Sequence, residues 1–132
     1  MKFLLDTNIC IYALKQRPLV LKRLLAERPI DVALSVITEA ELRTGAAKSG
    51  SSAKTRGLLE NFLRPLRVLD FTAEDAIAYA LVRAKLESAG TPIRPLDTLI
   101  AAQAVARKLT LVTNNEREFG RVAGLRIDNW AR

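Results

Sequence analysis

Histidine is absent from the sequence, and that absence removes several kinds of chemistry at once. A Ser-His-Asp triad, a paired-histidine ribonuclease mechanism and any histidine-ligated zinc site are excluded. Any hydrolysis falls instead to carboxylates, with a hard metal ion as the natural helper. Cysteine occurs once, at Cys10, so no internal disulfide can form, and its apolar setting suits a buried, inert thiol. Aromatic residues make up only 5% of the chain, and none cluster beside the polar motifs, which argues against a platform for stacking single-stranded bases. No uncharged apolar run reaches the roughly 18 residues of a membrane span, and the N-terminus lacks the basic–apolar–small pattern of a signal peptide. Together with the lone cysteine, this fits a cytoplasmic protein that does not enter a membrane. Acidic residues are also in short supply, 14 against 21 Lys and Arg, for a net charge of +7 and a pI near 10.1. Such an excess suits a polyanionic partner, or an acidic protein covering the same surface, although plain solubility also accounts for it.

What remains is a chain rich enough to build a core. Hydrophobic residues are 49% and charged residues 27% of 132, the profile of one packed domain over residues 1–132. Lys2–Leu5 is a short apolar run that stops at Asp6. Similar runs at Asp31–Ser35, Arg67–Phe71 and Leu109–Val112 read as further strands, with Leu125–Ile127 as a last edge strand. Helical patterns lie between them. One runs to about Lys15, capped by Thr7 or Asn8. Another covers Leu19 to about Glu27, with Leu21, Leu24 and Leu25 buried. A third leaves Ser35 and ends near Gly45 to Lys48. Lys54–Leu63 carries Leu58, Leu59, Phe62 and Leu63 at helical spacing. A long helix follows Thr72 or Ala73 to about Ser88, with Ala76, Ile77, Ala80, Leu81, Ala84 and Leu86 as its apolar face. An alanine-rich helix covers Leu96–Arg107, and a short one ends at Phe119. Strands alternating with helices predict an α/β fold, a three-layer α/β/α arrangement around a central, mostly parallel sheet. Ligands of such sheets bind at the C-terminal edge of the strands.

Four polar positions fall where that edge is expected: Asp6, Glu41, Asp97 and Asn115. Each has a structural explanation. Asp6 suits a turn or cap, Thr38-Glu39-Ala40-Glu41 and Thr113-Asn114-Asn115-Glu116 have the form of capping boxes, and Asp97 suits the positive end of its helix. Capping does not, however, require acids at several strand outlets on one edge. Carboxylates gathered there repel one another, and a divalent cation relieves the repulsion. Mg²⁺ or Mn²⁺ takes oxygen ligands, acidifies water and neutralises charge on a phosphate, which is the route to phosphodiester hydrolysis that this residue inventory allows.

The motifs Leu5-Asp6-Thr7-Asn8, Ile37-Thr38-Glu39-Ala40-Glu41-Leu42 with Gly45, Pro95-Leu96-Asp97-Thr98-Leu99-Ile100-Ala101-Ala102 and Val112-Thr113-Asn114-Asn115-Glu116-Arg117-Glu118-Phe119 occur in this order. With the closing Gly124–Trp130, the whole chain resembles PIN-domain ribonucleases, and more narrowly the VapC-type toxins of toxin–antitoxin pairs. The resemblance implies a metal-dependent endoribonuclease acting on RNA, often tRNA, with Asp6, Glu41 and Asp97 holding Mg²⁺ or Mn²⁺. Glu39 competes with Glu41, but the family pattern favours the Glu that precedes Leu. Asn115 stands where many relatives carry Asp. It brings no charge, so one firmly held ion is expected, with Glu118 available to help. Thr7, Asn8 and Thr113 would orient the ligands or a water, or else serve as caps. Arg43, Lys48, Arg94 and Arg117 flank the acid motifs and are the expected contacts to the RNA backbone. The resemblance also implies a homodimer and a cognate antitoxin whose C-terminal segment covers the site. Ile9, Ile11, Tyr12, Leu21, Leu24 and Leu25 are the expected docking surface, unless they pack inside the domain.

Two other readings compete. A phosphoacceptor receiver domain is also α/β, but it wants paired acids after the first strand and an acceptor Asp near residues 51–54, and this chain has neither. A PIN-like module that binds RNA or a partner with little catalysis is left open by Asn115.

Overall fold

The structure, a computed structural model, describes residues 1–132. Strands β1 (Phe3–Leu5), β2 (Val32–Ser35), β3 (Arg67–Leu69), β4 (Thr110–Val112) and β5 (Ile127–Asp128) form one sheet in the order β3-β2-β1-β4-β5. Every neighbouring pair is parallel, so the sheet is wholly rather than mostly parallel. Sheets of this kind are covered on both faces, which is why their strands read as continuous apolar runs. Leu4, Leu5, Ala33, Leu34, Leu111 and Val112 are all fully buried. Period two then sorts them between two cores. Leu5, Leu34 and Val112 join Ile9, Val20, Leu42, Leu59 and Trp130 on one side, and Leu4, Ala33 and Leu111 join Leu86, Ile100 and Phe119 on the other.

Helices α1 (Thr7–Leu14), α2 (Pro18–Ala26), α3 (Val36–Lys48) and α4 (Ser52–Leu63) supply the first core, and α5 (Ala73–Ser88), α6 (Pro95–Arg107) and α7 (Glu116–Phe119) the second. The result is the expected three-layer α/β/α architecture. Pro18 and Pro95 open α2 and α6 from the first helical position, where the missing N–H costs nothing. The chain leaves β1 toward β2 on one side and returns through β4 on the other. The Asp6 N–H donates to the Val112 carbonyl at 3.0 Å, so the reversal point lies between the ends of β1 and β4. A crevice at such a point is where ligands of parallel sheets bind. No helix is long and apolar enough to cross a membrane.

Several local expectations are corrected. Asp6, not Thr7 or Asn8, caps α1, its carboxylate accepting from the Ile9 N–H at 2.8 Å. Ser35 caps α3, so Thr38 and Glu41 lie inside the helix and form no capping box. Asn115 rather than Thr113 caps α7. On α2 the buried anchor is Val20, while Leu25 is 80% exposed. Leu58 of α4 is also exposed. On α5, Ile77 (65% exposed) and Leu81 (70%) face outward, with Ala76, Ala80 and Ala84, and the buried side carries Asp75 and Leu86. Of the expected docking surface, Ile9 is fully buried, while Ile11, Tyr12, Leu21 and Leu24 are half-buried and Leu25 is exposed, so part of each remains at the surface.

Candidate active site

Three carboxylates reach one small cleft at the C-terminal edge of the sheet. Asp6 comes from the end of β1, Glu41 from the second turn of α3 and Asp97 from the first turn of α6. They line a cavity of about 40 Å³ with Thr7, Asn8, Arg94, Asn115 and Phe119. Each is placed by a separate local device. Asp6 is fixed by its own cap on α1. Glu41 lies three residues beyond the buried Thr38, on one helical face. Asp97 is delivered by Pro95, which starts α6 two residues earlier.

The acids are not at rest. Asp6 is 4% exposed, and its pKa is pushed up from 3.8 to about 6. Burial is the main cause, and the charges of Asp97 and Glu41 add to it. Hydrogen bonds from the Thr113 hydroxyl and the Ile9 N–H work the other way. Burial also raises Asp97. Arg94 opposes that rise, while Glu41 and Glu118 reinforce it. A buried carboxylate that its neighbours keep above its ordinary range marks a site where negative charge is under-compensated.

The polar residues around these acids orient them. The Thr7 hydroxyl donates to Glu41 Oε1 at 2.7 Å and lies 3.3 Å from Thr38 Oγ1. Thr113 is fully buried, and its oxygen also accepts from the Asn115 N–H at 2.9 Å, tying the end of β4 to the start of α7. Asn115 is committed locally. Its Oδ1 accepts from the Glu118 N–H at 3.4 Å, and its Nδ2 donates to Glu118 Oε2 at 3.1 Å. Glu118 therefore acts on the cleft through its charge on Asp97, and is not among the residues that line it. Asn8 lines the cleft but is largely exposed.

The basic residues divide. Arg94 is in the cleft, with Nη2 3.8 Å from Glu41 Oε2 and a largely exposed side chain. Arg43 is not. It pairs with Glu39 and Glu60, each at 2.6 Å. This also turns Glu39 away and leaves Glu41 as the acid of α3 that faces the cleft. Lys48 lies in the last turn of α3, about 10 Å along the helix from Glu41. Arg117 is exposed on α7 outside the cleft lining. Two lining or supporting residues escaped the sequence reading. Thr38 was hidden by the apparent capping box, and Phe119 looked like a core residue only.

The donor set is all oxygen, with no histidine and with Cys10 buried, its thiol pushed well up by burial. Such a set fits Mg²⁺ or Mn²⁺ better than zinc. As the side chains stand, no three acids are gathered closely enough to hold an ion. One Glu41 oxygen is taken by Thr7 and the other faces Arg94. The chemistry of the donors fits a hard cation, and each Glu41 oxygen keeps a lone pair for one beside its Thr7 or Arg94 partner.

The PIN domain model matches residues 3–125. The chain belongs to the PIN-domain family. Within that family its relatives are VapC ribonucleases. The tRNA(fMet)-specific endonuclease VapC of Salmonella typhimurium is 40% identical over 130 residues, covering 98% of both chains. Ribonuclease VapC2 of Haemophilus influenzae (strain Rd) is likewise 40% identical over 130 residues, again covering 98% of each. The DNA-bound VapBC structure from Salmonella typhimurium superposes with a TM-score of 0.95 at 40% identity, covering 98% of this chain and 98% of that one. This PIN-domain chain therefore shares its fold and most of its length with VapC ribonucleases.

Proposed function

We propose that this PIN-domain protein is a divalent-cation-dependent endoribonuclease toxin, cleaving structured RNA of the tRNA class in the cytoplasm and restrained by a cognate antitoxin. The observation that carries the reading is the meeting of Asp6, Glu41 and Asp97 in one cleft, with Asp6 raised to about 6. Asp6, Glu41 and Asp97 are the residues that would hold Mg²⁺ or Mn²⁺. When bound, such an ion supplies Lewis acidity toward phosphate oxygens and acidifies water.

The chain's own residues do the rest. Asp6 stays fixed between the Ile9 N–H and Thr113, so its carboxylate is held in one orientation toward the cleft. Thr7 orients the Glu41 carboxylate. Arg94, largely exposed at the rim, draws the phosphodiester in and offsets its charge. Asn115 and Glu118 brace the start of α7 and keep negative charge near Asp97.

An antitoxin segment has a route to this cleft. An apolar groove of about 380 Å³ between α1, α3 and α4 is lined by Ile11, Leu14, Leu42, Leu58 and Leu59 and reaches Glu41, which belongs to both cavities. A helix lying in it would block the site as it docks. The outward Ile77 and Leu81 of α5 offer apolar surface that a second copy would cover in a homodimer.

The decisive experiment is cleavage of total RNA with Mg²⁺ or Mn²⁺ against a chelator control. The wild type should cut only with metal, and Asp97→Asn should cut more slowly by over about a hundred-fold. Cutting that persists in chelator would overturn the reading. The committed side chain of Asn115, and acids that share the cleft but stand too far apart to hold an ion, favour one second reading, an RNA- or partner-binding module with little catalysis. RNA binding without metal-dependent cutting would select it.

A further inference from the structure

The two ends of the sheet carry opposite chemistry. Parallel strands place all their N-terminal ends on the edge away from the cleft. There, three neighbouring strands, β1, β4 and β5, are each approached through a basic residue: Lys2, Lys108 and Arg126. All three are exposed, and none of them makes an ion pair. The register brings them into a row. The Thr110 N–H donates to the Lys2 carbonyl at 2.9 Å, the Leu111 N–H to the Arg126 carbonyl at 2.8 Å, and Arg126 Nη2 to the Lys108 carbonyl at 2.6 Å. With strands about 4.8 Å apart, the row spans about 10 Å. Arg67, at the start of β3, continues it beyond β2, where Asp31 is already neutralised by Arg28 at 3.1 Å and by the N-terminus at 3.6 Å.

Solubility alone favours interspersed charges rather than a row of one sign. The negative end of α6 accounts for Arg126 on the Lys108 carbonyl. It does not account for a lysine at position 108; Lys2 has Asp31 nearby, whose carboxyl it helps to hold below the ordinary value, but that carboxylate is shared with Arg28 and the N-terminus. Lys108 ends α6 with φ +56°, a left-handed position that suits Gly or Asn and costs a lysine about 1 kcal/mol. A cation kept there at a conformational cost, and held beside a second one with no carboxylate between them, fits a polyanion.

We propose that Lys2, Lys108 and Arg126 form a second RNA contact, gripping the phosphate backbone of a duplex arm of the substrate away from the segment in the cleft. The proposal rests on the ribonuclease reading. The row lies on the edge of the sheet opposite the cleft, so an RNA touching both must pass around the domain, as a folded RNA with a second arm can and a short single strand held in the cleft cannot.

The test measures binding of labelled unfractionated tRNA, in chelator so that nothing is cut, across a salt series. Lys108→Asn with Arg126→Gln is expected to weaken binding roughly five-fold or more and to lower the slope of log K against log salt by about two. Lys2→Gln should lower that slope by about one. Asn suits the left-handed position, and unchanged melting temperatures will show that the variants fold. Binding and metal-dependent cleavage of a short single-stranded oligonucleotide should not change. Unaltered tRNA binding and slope, an equal loss on the short strand, or a loss confined to duplex DNA would each overturn the proposal. A wild type that binds tRNA through these residues but never cuts RNA would fault the ribonuclease reading and leave this contact standing.

Discussion

Asp6 and Asp75 are both buried carboxylates at helix starts, and the protein treats them in opposite ways. Asp75, at the seam between α5 and α6, is saturated with donors. Its Oδ2 accepts from the Thr72 N–H at 2.9 Å, Arg107 Nη2 at 3.0 Å and Gln103 Nε2 at 3.2 Å, and its Oδ1 from Arg107 Nε at 3.3 Å. Burial pushes its pKa up, but Arg107 and Thr72 outweigh that and hold it below the ordinary value. Asp6 has two such bonds, no cation of its own and two acidic neighbours, and its pKa rises to about 6. Burial alone therefore does not mark a working acid. Burial without compensation is the better marker, because the fold then gives up stability to a charge that its own donors do not satisfy.

The contrast can be broken most sharply in activity. Asp6→Asn or Asp97→Asn should lower RNA cleavage by more than roughly a hundred-fold, since loss of a ligand exceeds the loss expected for a supporting residue. Asp75→Asn should leave cleavage per folded molecule unchanged. Equal losses from the two sites in a single-turnover assay would remove the distinction.

Stability should respond the other way round. Arg107→Met strands Asp75 without its cation and should cost about 2–3 kcal/mol in urea denaturation, a figure reduced for the partial exposure of Arg107. Asp6→Asn keeps the cap acceptor for Ile9 and removes the charge, so it should stabilise the metal-free protein by about 1–3 kcal/mol at neutral pH. The sign follows from the raised pKa. Protonation of Asp6 favours the fold, and that contribution is full below about 3.8 and lost as pH rises through about 6. The advantage of Asp6→Asn should therefore grow between about pH 4 and 6 and then level off. Asp75 has a lowered pKa, so its contribution holds at neutral pH and is lost on acidification. An Asp6→Asn advantage that does not vary with pH would contradict this account.

The smallest effect is expected at Thr7. Thr7→Val frees Glu41 Oε1, and it should reduce cleavage about ten-fold while costing about 1 kcal/mol in stability. A change in thermal stability with no change in rate would make Thr7 a structural residue only.

The sheet and its site were legible for one physical reason. Strands buried on both faces must be nearly all apolar, so the first polar residue after each run, Asp6 or Thr113, announces the edge where a ligand can sit. Helix faces were less legible. α5 carries two apolar stripes, and hydrophobicity does not say which turns inward. The Asp75–Arg107–Gln103 cluster decides, which leaves Ile77 and Leu81 outside. Cap positions were obscured because Thr38-Glu39-Ala40-Glu41 has the form of a capping box, while Ser35, three residues earlier, takes the cap. A basic residue close to an acid motif along the chain need not be close to it in space. Two residues past Glu41 is the far side of a helix, so Arg43 pairs with Glu39 and Glu60 instead of reaching the cleft.

On the ribonuclease reading, Asp6, Glu41 and Asp97 hold negative charge in wait for a cation. Thermal unfolding of the wild type and of Asp6→Asn at neutral pH, each with and without Mn²⁺, tests it without any RNA present. The melting temperature should rise with Mn²⁺ for the wild type and change little or not at all for Asp6→Asn, because an ion that binds only the folded site stabilises it. Equal shifts in the two proteins, or no shift in the wild type at saturating Mn²⁺, would contradict it.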